Sequence, residues 1–277
     1  MDPPGRSRYP NPMTTPILFL GAGRMGGALA EGWRRTGAFP TASLMLRDPN
    51  PGPDALAAAQ AGAQLNPPDG ALASARTVLL AVKPQVWREA CAAYVPLLSP
   101  DAVVVSIAAG VRLADIAAVF AGHPVARVMP TTGVAIAQGV ASIYAVDPAA
   151  RALAHALFDP VATAVDLDDE RLMDAATAVS GSGPAYLYAF TEALEKAALD
   201  AGLPAQTAKS LARATVSGAA ALMKETGTEA AELRRQVTSP AGTTEAALKV
   251  LLAEDGLDPL MRKAVAAAIS RARELAG

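Results

Sequence analysis

The stretch Pro16-Ile17-Leu18-Phe19-Leu20-Gly21-Ala22-Gly23-Arg24-Met25-Gly26 runs a short apolar segment straight into three glycines spaced Gly-x-Gly-x-x-Gly. An apolar run of that length, closed by glycine, reads as a buried strand, and Met25–Thr36 behind it carries apolar residues at helical spacing. Between strand and helix each glycine has a separate task. Gly21 permits the tight turn, Gly23 lets the backbone approach a pyrophosphate, and Gly26 lets the helix pack on the sheet. The amides of Gly21, Ala22, Gly23, Arg24, Met25 and Gly26 then lie at a helix N-terminus, where orphan N–H groups and the helix dipole favour phosphate. A plain glycine-rich turn is the alternative. Its position after the first strand favours dinucleotide binding.

Outward from this point the pattern repeats. Strands are expected at Ser43–Arg47, Thr77–Val82, Ala102–Ile107, Val125–Met129 and Ser142–Ala145. Helices are expected at Asp54–Ala61, Val86–Tyr94 and Arg112–Phe120 between them. Alternating strands and helices build a doubly wound α/β domain with a mainly parallel sheet. From about Asp169 the β-branched runs cease, and alanine-rich amphipathic stretches follow to the end: Asp169–Val179, Pro184–Asp200, Pro204–Thr226, Thr228–Val237, Thr243–Glu254 and Pro259–Leu275. The organisation read here is a disordered leader over 1–14, a Rossmann domain over 15–167 and an all-α domain over 168–277. The helical half is too apolar for its own core, so it is expected to pair with a second copy as a homodimer.

Several short motifs in this frame bear on chemistry. The second strand ends in Leu46-Arg47-Asp48-Pro49-Asn50, where an adenosine ribose lies in this fold. An acidic side chain there grips a free 2′-hydroxyl and an arginine accommodates a 2′-phosphate; Arg47 comes first and Asn50 adds a hydrogen-bonding group, which favours NADPH over NADH. Asp48 also reads as a turn residue before Pro49. The third strand runs into Ala81-Val82-Lys83-Pro84-Gln85 at the edge where a cofactor crosses; Lys83 reads as catalytic, as a ribose contact or as a solvated lysine. Met129-Pro130-Thr131-Thr132 ends the fifth strand with hydroxyls for a nicotinamide amide, for a substrate, or for capping a turn.

Two polar islands interrupt the helical half. Ser180-Gly181-Ser182-Gly183-Pro184-Ala185-Tyr186 is a small-residue turn before a long helix, with Ser182 as an N-cap candidate. Thr238-Ser239-Pro240-Ala241-Gly242-Thr243-Thr244 precedes a helix, and backbone amides and hydroxyls converging there suit a small carboxylate as well as plain capping.

Composition narrows the chemistry. The 277 residues hold 65 alanines, 4% aromatics, a net charge of −2, one cysteine and two histidines. No basic run exceeds the pairs Arg34–Arg35 and Arg234–Arg235, so a nucleic-acid partner is not expected. Cys91, His123 and His155 cannot assemble a thiolate–imidazole metal site. Val128–Val146 lacks charge but is broken by Pro130, Gly133, Gln138 and Gly139, so no membrane span is expected. With no apolar signal segment in the proline-rich leader, the chain is expected in the cytoplasm.

GAGRMG at 21–26, AVKPQ at 81–85, SIAAGV at 106–111, RVMP at 127–130, SGSGPAY at 180–186 and VTSPAGTT at 237–244 resemble, in order and spacing, the pyrroline-5-carboxylate reductases. The likeness spans about Pro16 to Ala276 and rests chiefly on the last two motifs. It implies a Rossmann domain followed by a helical domain that intertwines into a dimer, in some members stacked into a decamer. It also implies reduction of L-1-pyrroline-5-carboxylate to L-proline with NAD(P)H. By that resemblance the amides of Gly242 and Thr243 and the Ser239 hydroxyl bind the substrate carboxylate, Thr244 hydrogen-bonds the ring nitrogen, and Ser180 lines the nicotinamide side of the pocket. The chain departs from the family pattern twice. Thr131-Thr132-Gly133 stands where Asn-Thr-Pro is usual, and Ala241-Gly242 where two glycines are usual; the loop is expected to leave Ala241 outside the left-handed region. Two other readings compete: a β-hydroxyacid dehydrogenase, whose acid/base lysine would have to come from Lys196, Lys209 or Lys224, and a non-catalytic NADP(H)-binding sensor.

Overall fold

The structure is a computed structural model that describes residues 14–276. The leader expected over 1–14 lies outside them except for Thr14, which is buried and whose carbonyl accepts the Thr77 hydroxyl at 2.7 Å. Eight strands form one sheet: β1 (Ile17–Leu20), β2 (Leu44–Arg47), β3 (Gln64–Leu65), β4 (Thr77–Leu80), β5 (Val103–Ser106), β6 (Val125–Pro130), β7 (Gly139–Tyr144) and β8 (Ala162–Asp166). Their order is β3-β2-β1-β4-β5-β6-β7-β8, and all neighbours are parallel except the antiparallel pair β6–β7. Chain order reverses between β1 and β4. In an open α/β sheet that switch point, beyond the carboxyl ends of the strands, is where a ligand crosses.

All four residues of β1 are buried, as a strand covered on both faces requires. Ile17 and Phe19 join one core with Leu44, Leu46 and Leu79, under α1 (Arg24–Thr36), α2 (Pro53–Gln60) and α5 (Pro148–Phe158). Leu18 and Leu20 join the other with Met45, Val78 and Leu80, under α3 (Trp87–Ala92) and α4 (Leu113–Val119). Helix α1 is pinned by Trp33, whose indole donates to the Leu157 carbonyl at 2.8 Å and lies edge-on to Phe19.

Cys91 sits inside the second core, and burial pushes its thiol up to about 12. A thiol reacts as its thiolate. The native protein at neutral pH is therefore expected to resist iodoacetamide and to label fully in urea, as read by intact mass; native labelling at the rate of a free thiol would refute the packing of α3.

The sequence reading missed β3, β8 and α5. Helix α5 did carry a start signal, since Asp147 caps it by accepting the Ala150 amide at 2.9 Å and Pro148 takes the first turn. Strand β8 is an edge strand with much of its surface exposed, so no apolar run marked it.

By compactness the chain forms two units. One runs to Gly181 and takes back the chain end from Arg271; the other is Ser182–Ser270. Between the sheet and the second unit come α6 (Met173–Ala176) and a π-helical turn at Thr177–Gly181. The second unit contains α7 (Gly183–Asp200), α8 (Ala205–Thr226), α9 (Ala230–Gln236), α10 (Thr243–Leu251) and most of α11 (Leu257–Ala276). Only Ala208 and Ala212 are buried in α7 to α10, while Leu187, Tyr188, Leu211, Leu222 and Val250 are exposed. Helices that bury so little in one chain leave an apolar surface of the kind that marks association.

Candidate functional site

The glycine loop joins β1 to α1 at the switch point. Gly21 has φ +84°, and a Cβ there would stand 2.9 Å from the carbonyl carbon and oxygen of Ala81 and from Val82. Its amide donates to the Arg47 carbonyl at 2.9 Å, so the loop is tied to both neighbouring strands. Gly23 has nothing within 4 Å of a built Cβ. That open hollow, beside first-turn amides with no intrahelical acceptor, fits a pyrophosphate. Arg24 is exposed and has no ion pair among the described residues, leaving a cation at the loop. Met25 packs against the first core. Gly26 corrects the sequence reading: its built Cβ would make ordinary contacts at 3.4–3.5 Å, whereas one at Gly27 would fall 2.2 Å from Asp54 and one at Gly32 2.1 Å from the Val134 carbonyl. Gly27 and Gly32 are thus where α1 comes closest to α2 and to the short helical turn Thr132–Ile136, while Gly26 faces Phe19 and Ala81 on the sheet side.

At the end of β2 the side chains divide. Arg47 turns toward the second core, where it donates to the Pro67 carbonyl at 2.5 Å, pairs with Asp69 and lies 5.4 Å from the Tyr94 ring centre. Tyr94 and then Asp69 hold its guanidinium above the ordinary arginine value. Asp48 faces the glycine loop instead: Oδ2 accepts the Ala22 amide and Oδ1 the Asn50 amide, each at 2.8 Å. Asn66, in the left-handed region at φ +47°, clamps the Asp48 backbone, accepting its amide at 3.0 Å and donating to its carbonyl at 2.9 Å. Asn66 escaped the sequence reading because nothing beside it marks a partner 18 residues away.

Ala81, Val82, Lys83 and Pro84 follow β4, with Ala81 bonded to Leu20 at 2.8 Å and Lys83 exposed. Pro84, Ala109, Gly110, Arg127, Met129 and Thr177 line a small cleft of about 140 Å³ in the first unit. Arg127 is buried and pairs with Glu170, whose same oxygen accepts the Leu113 amide at 2.6 Å. One carboxylate thus fixes β6 and the start of α4 together. Thr131 takes the capping role, since its hydroxyl accepts the Val140 amide at 3.0 Å and holds the β6–β7 connection. Both histidines are committed to structure: His155 lies 3.1 Å from Asp159 and from Asp166, and His123 2.9 Å from the Ala102 carbonyl. Among the described residues no His/Cys/Asp/Glu group is placed to hold a metal ion.

Ser180 belongs to the π-helical turn, not to a loop, and donates its hydroxyl proton to Ala176 at 2.8 Å while Thr177 donates likewise to Met173 at 2.7 Å. Such back-bonding by small hydroxyl residues supports a widened turn. Ser182 stands at the cap position of α7 without a side-chain cap bond.

In the second unit Thr238–Thr244 leads into the nine-residue α10. Ser239 and Gly242 form a tight turn, the Gly242 amide donating to the Ser239 carbonyl at 3.1 Å. That bond commits the Gly242 amide, so Thr243 carries the first amide left open. Ala241 has φ +56°, against the expectation that it stays out of the left-handed region. The turn must double back into the helix, and Glu245 holds the cost in place by accepting the Ala241 amide at 2.5 Å. Glu245, at the third helical position, is the cap residue the sequence reading missed. The Ser239 and Thr244 hydroxyls have no protein partner among the described residues.

Residues 170–275 match the family model for pyrroline-5-carboxylate reductase dimerisation, and 16–110 that for NADP oxidoreductase, coenzyme F420-dependent. The pyrroline-5-carboxylate reductase of Pseudomonas aeruginosa is 41% identical over 95% of this chain and 98% of its own length. The chain belongs to the pyrroline-5-carboxylate reductase family. The reductase of Pisum sativum is 37% identical over 93% of this chain and 94% of its own. The solved reductase of Coxiella burnetii superposes with a TM-score of 0.85 at 33% identity, covering 95% of this chain and 98% of that one. Membership in the reductase family tells against the dehydrogenase reading. Lys196 on α7 agrees, being an exposed lysine paired with Glu192 at 2.9 Å. No helix among the described residues is long and apolar enough to cross a membrane.

Proposed function

We propose that this chain reduces the C=N bond of L-1-pyrroline-5-carboxylate to L-proline with NADPH, NADH serving in its place, as the last step of proline biosynthesis. The observation that carries the reading is the 238–244 turn, with an open helix amide at Thr243 and uncommitted hydroxyls at Ser239 and Thr244. A cyclic imine with one carboxylate needs this much and little more. The Thr243 amide and the Ser239 hydroxyl hold the carboxylate at the positive end of α10, and Gly242 keeps the approach open. Thr244 holds the ring nitrogen. The nicotinamide, when bound, supplies the hydride; the chain supplies position and electrostatics. The hollow over Gly23, the first-turn amides of α1 and Arg24 hold the pyrophosphate, and Ala81–Pro84 with the cleft beside Arg127 receive the nicotinamide half. A protonated iminium is already electrophilic, so no histidine is called on. The protein acts in the cytoplasm as a homodimer joined through the apolar faces of its helical unit, with five such dimers stacking into a decamer.

Thr244→Ala and Thr244→Val test the assignment. A hydrogen bond to a charged partner contributes ~1.5–3 kcal/mol, so kcat/KM for pyrroline-5-carboxylate is expected to fall roughly 10- to 100-fold while Thr244→Ser retains most of it. Unchanged kcat/KM in both truncations would remove Thr244 from the mechanism.

A further inference from the structure

The 238–244 turn carries an alanine where its backbone geometry favours glycine. Ala241 sits in the left-handed region at φ +56°, a conformation that a residue with a Cβ keeps only where its surroundings over-determine it. Packing does not do so here, because Ser239, Pro240 and Ala241 are all exposed. Hydrogen bonds take its place. Upstream, Thr238 is tied to α9, its hydroxyl donating to the Arg234 carbonyl at 2.6 Å and its amide to the Arg235 carbonyl at 3.1 Å. Inside the turn the Gly242 amide donates to the Ser239 carbonyl at 3.1 Å. The strained residue itself is held by Glu245, whose Oε2 accepts the Ala241 amide at 2.5 Å. The other oxygen, Oε1, lies 3.2 Å from Lys249 one turn along α10, so the carboxylate is aimed from both ends.

We propose that Glu245 is a positioning residue for the reduction: it keeps Ala241 left-handed, so that the Ser239 hydroxyl and the Thr243 amide converge on the substrate carboxylate without Glu245 touching the substrate. This rests on the reading that the turn holds that carboxylate. Released from Glu245, Ala241 relaxes and only a fraction of molecules presents both donors together. The apparent affinity for substrate then falls by that fraction. Bound substrate restores the order, so the loss falls on KM and spares kcat. Charge alone gives the opposite sign, since Glu245 is an anion beside an anion site and its removal would tighten the substrate. The direction in which KM moves separates the two roles.

Steady-state kinetics of the full chain with pyrroline-5-carboxylate at saturating NADPH make the test. Glu245→Ala is expected to raise KM about tenfold, the scale of one charge-assisted hydrogen bond, with kcat and NADPH affinity within about twofold of the parent. Glu245→Gln keeps an oxygen for the Ala241 amide and is expected to hold KM within about twofold of the parent or below it. In an Ala241→Gly background the left-handed turn no longer needs holding, so there Glu245→Ala is expected to raise KM by no more than about twofold. A cap that served α10 alone would lower Tm equally in both backgrounds and leave KM unmoved. A KM that stays or falls in Glu245→Ala, a loss in kcat instead, a tenfold rise that persists with Gly at 241, or failure of Glu245→Ala to fold each overturns the proposal. Ser239→Ala distinguishes the levels. If it raises KM while Glu245→Ala does not, the carboxylate reading stands and the proposal falls; if neither moves KM, both fall.

Discussion

Gly21→Ala is expected to weaken NADPH binding by roughly a hundredfold and to lower Tm. An L-residue pays ~1–2 kcal/mol in the left-handed region, and Gly21 sits there at φ +84°. The added methyl would also stand 2.9 Å from the Ala81 carbonyl carbon and oxygen. Those are backbone atoms bonded into the sheet, since the Ala81 amide donates to Leu20 at 2.8 Å, so no side chain can swing aside. Overpacking of this kind costs ~1–3 kcal/mol, and with the conformational penalty the total is near the ~2.7 kcal/mol that separates a hundredfold in affinity. Gly23→Ala provides the contrast. Its methyl meets nothing in the protein, so Tm is expected to hold while NADPH affinity still drops, because the methyl fills the hollow meant for the pyrophosphate. Fluorescence titration and thermal unfolding of both variants separate the effects. Affinity within twofold of the parent in Gly21→Ala would refute the assignment of this loop as the pyrophosphate cradle.

The contrast also shows what a glycine pattern does and does not disclose. Gly21 and Gly23 follow from strand–turn–helix logic, because a tight turn and an open approach are local requirements. Gly27 and Gly32 carry the tightest approaches of α1, to α2 and to a distant turn, and no local rule selects them. Gly32 is small because of the Val134 carbonyl, about a hundred residues on and brought over by the short helical turn Thr132–Ile136. The same distinction holds for elements. Strands buried on both faces announce themselves as apolar runs, as β1 and β4 do. Strand β8 pairs on one side only and pays no such compositional cost.

Arg47 and Asp48 make the sharper case. Residue types alone favoured the arginine, yet the period-two geometry of a strand opposes it. Leu44 and Leu46 enter the first core and Met45 the second, so Arg47 follows Met45 toward Tyr94 and away from the side of α1. Burial on both faces hides that parity from the sequence, because both sets of positions are equally apolar. At Ala241 the sequence was misleading for a different reason. Alanine favours helical backbone, but the bond from the Gly242 amide to Ser239 and the Glu245 cap over the Ala241 amide enforce φ +56°.

Gly242→Ala is expected to raise KM for pyrroline-5-carboxylate by at least roughly a hundredfold while leaving NADPH affinity within about twofold. A Cβ on Gly242 would lie 2.4 Å from the Ser239 hydroxyl oxygen and 3.0 Å from its carbonyl oxygen. Both atoms matter: the hydroxyl is assigned to the substrate carboxylate, and the carbonyl accepts the Gly242 amide that closes the turn. The methyl can be accommodated only by rotating Ser239 away or opening the turn, and either change removes a donor from the anion site and misdirects the Thr243 amide. Loss of one charge-assisted bond costs ~1.5–3 kcal/mol, and losing a second with the turn reaches a hundredfold or more. Gly242 itself adopts an extended φ of −84°, so backbone preference contributes nothing and the effect is steric alone. Ser239→Ala separates the parts, because it removes the hydroxyl and also the 2.4 Å clash. The double variant Ser239→Ala/Gly242→Ala is therefore expected to lose less than the product of the two single losses, a non-additivity that direct contact between two positions produces. Strict additivity, with KM for pyrroline-5-carboxylate unchanged in Gly242→Ala, would take the carboxylate out of this turn.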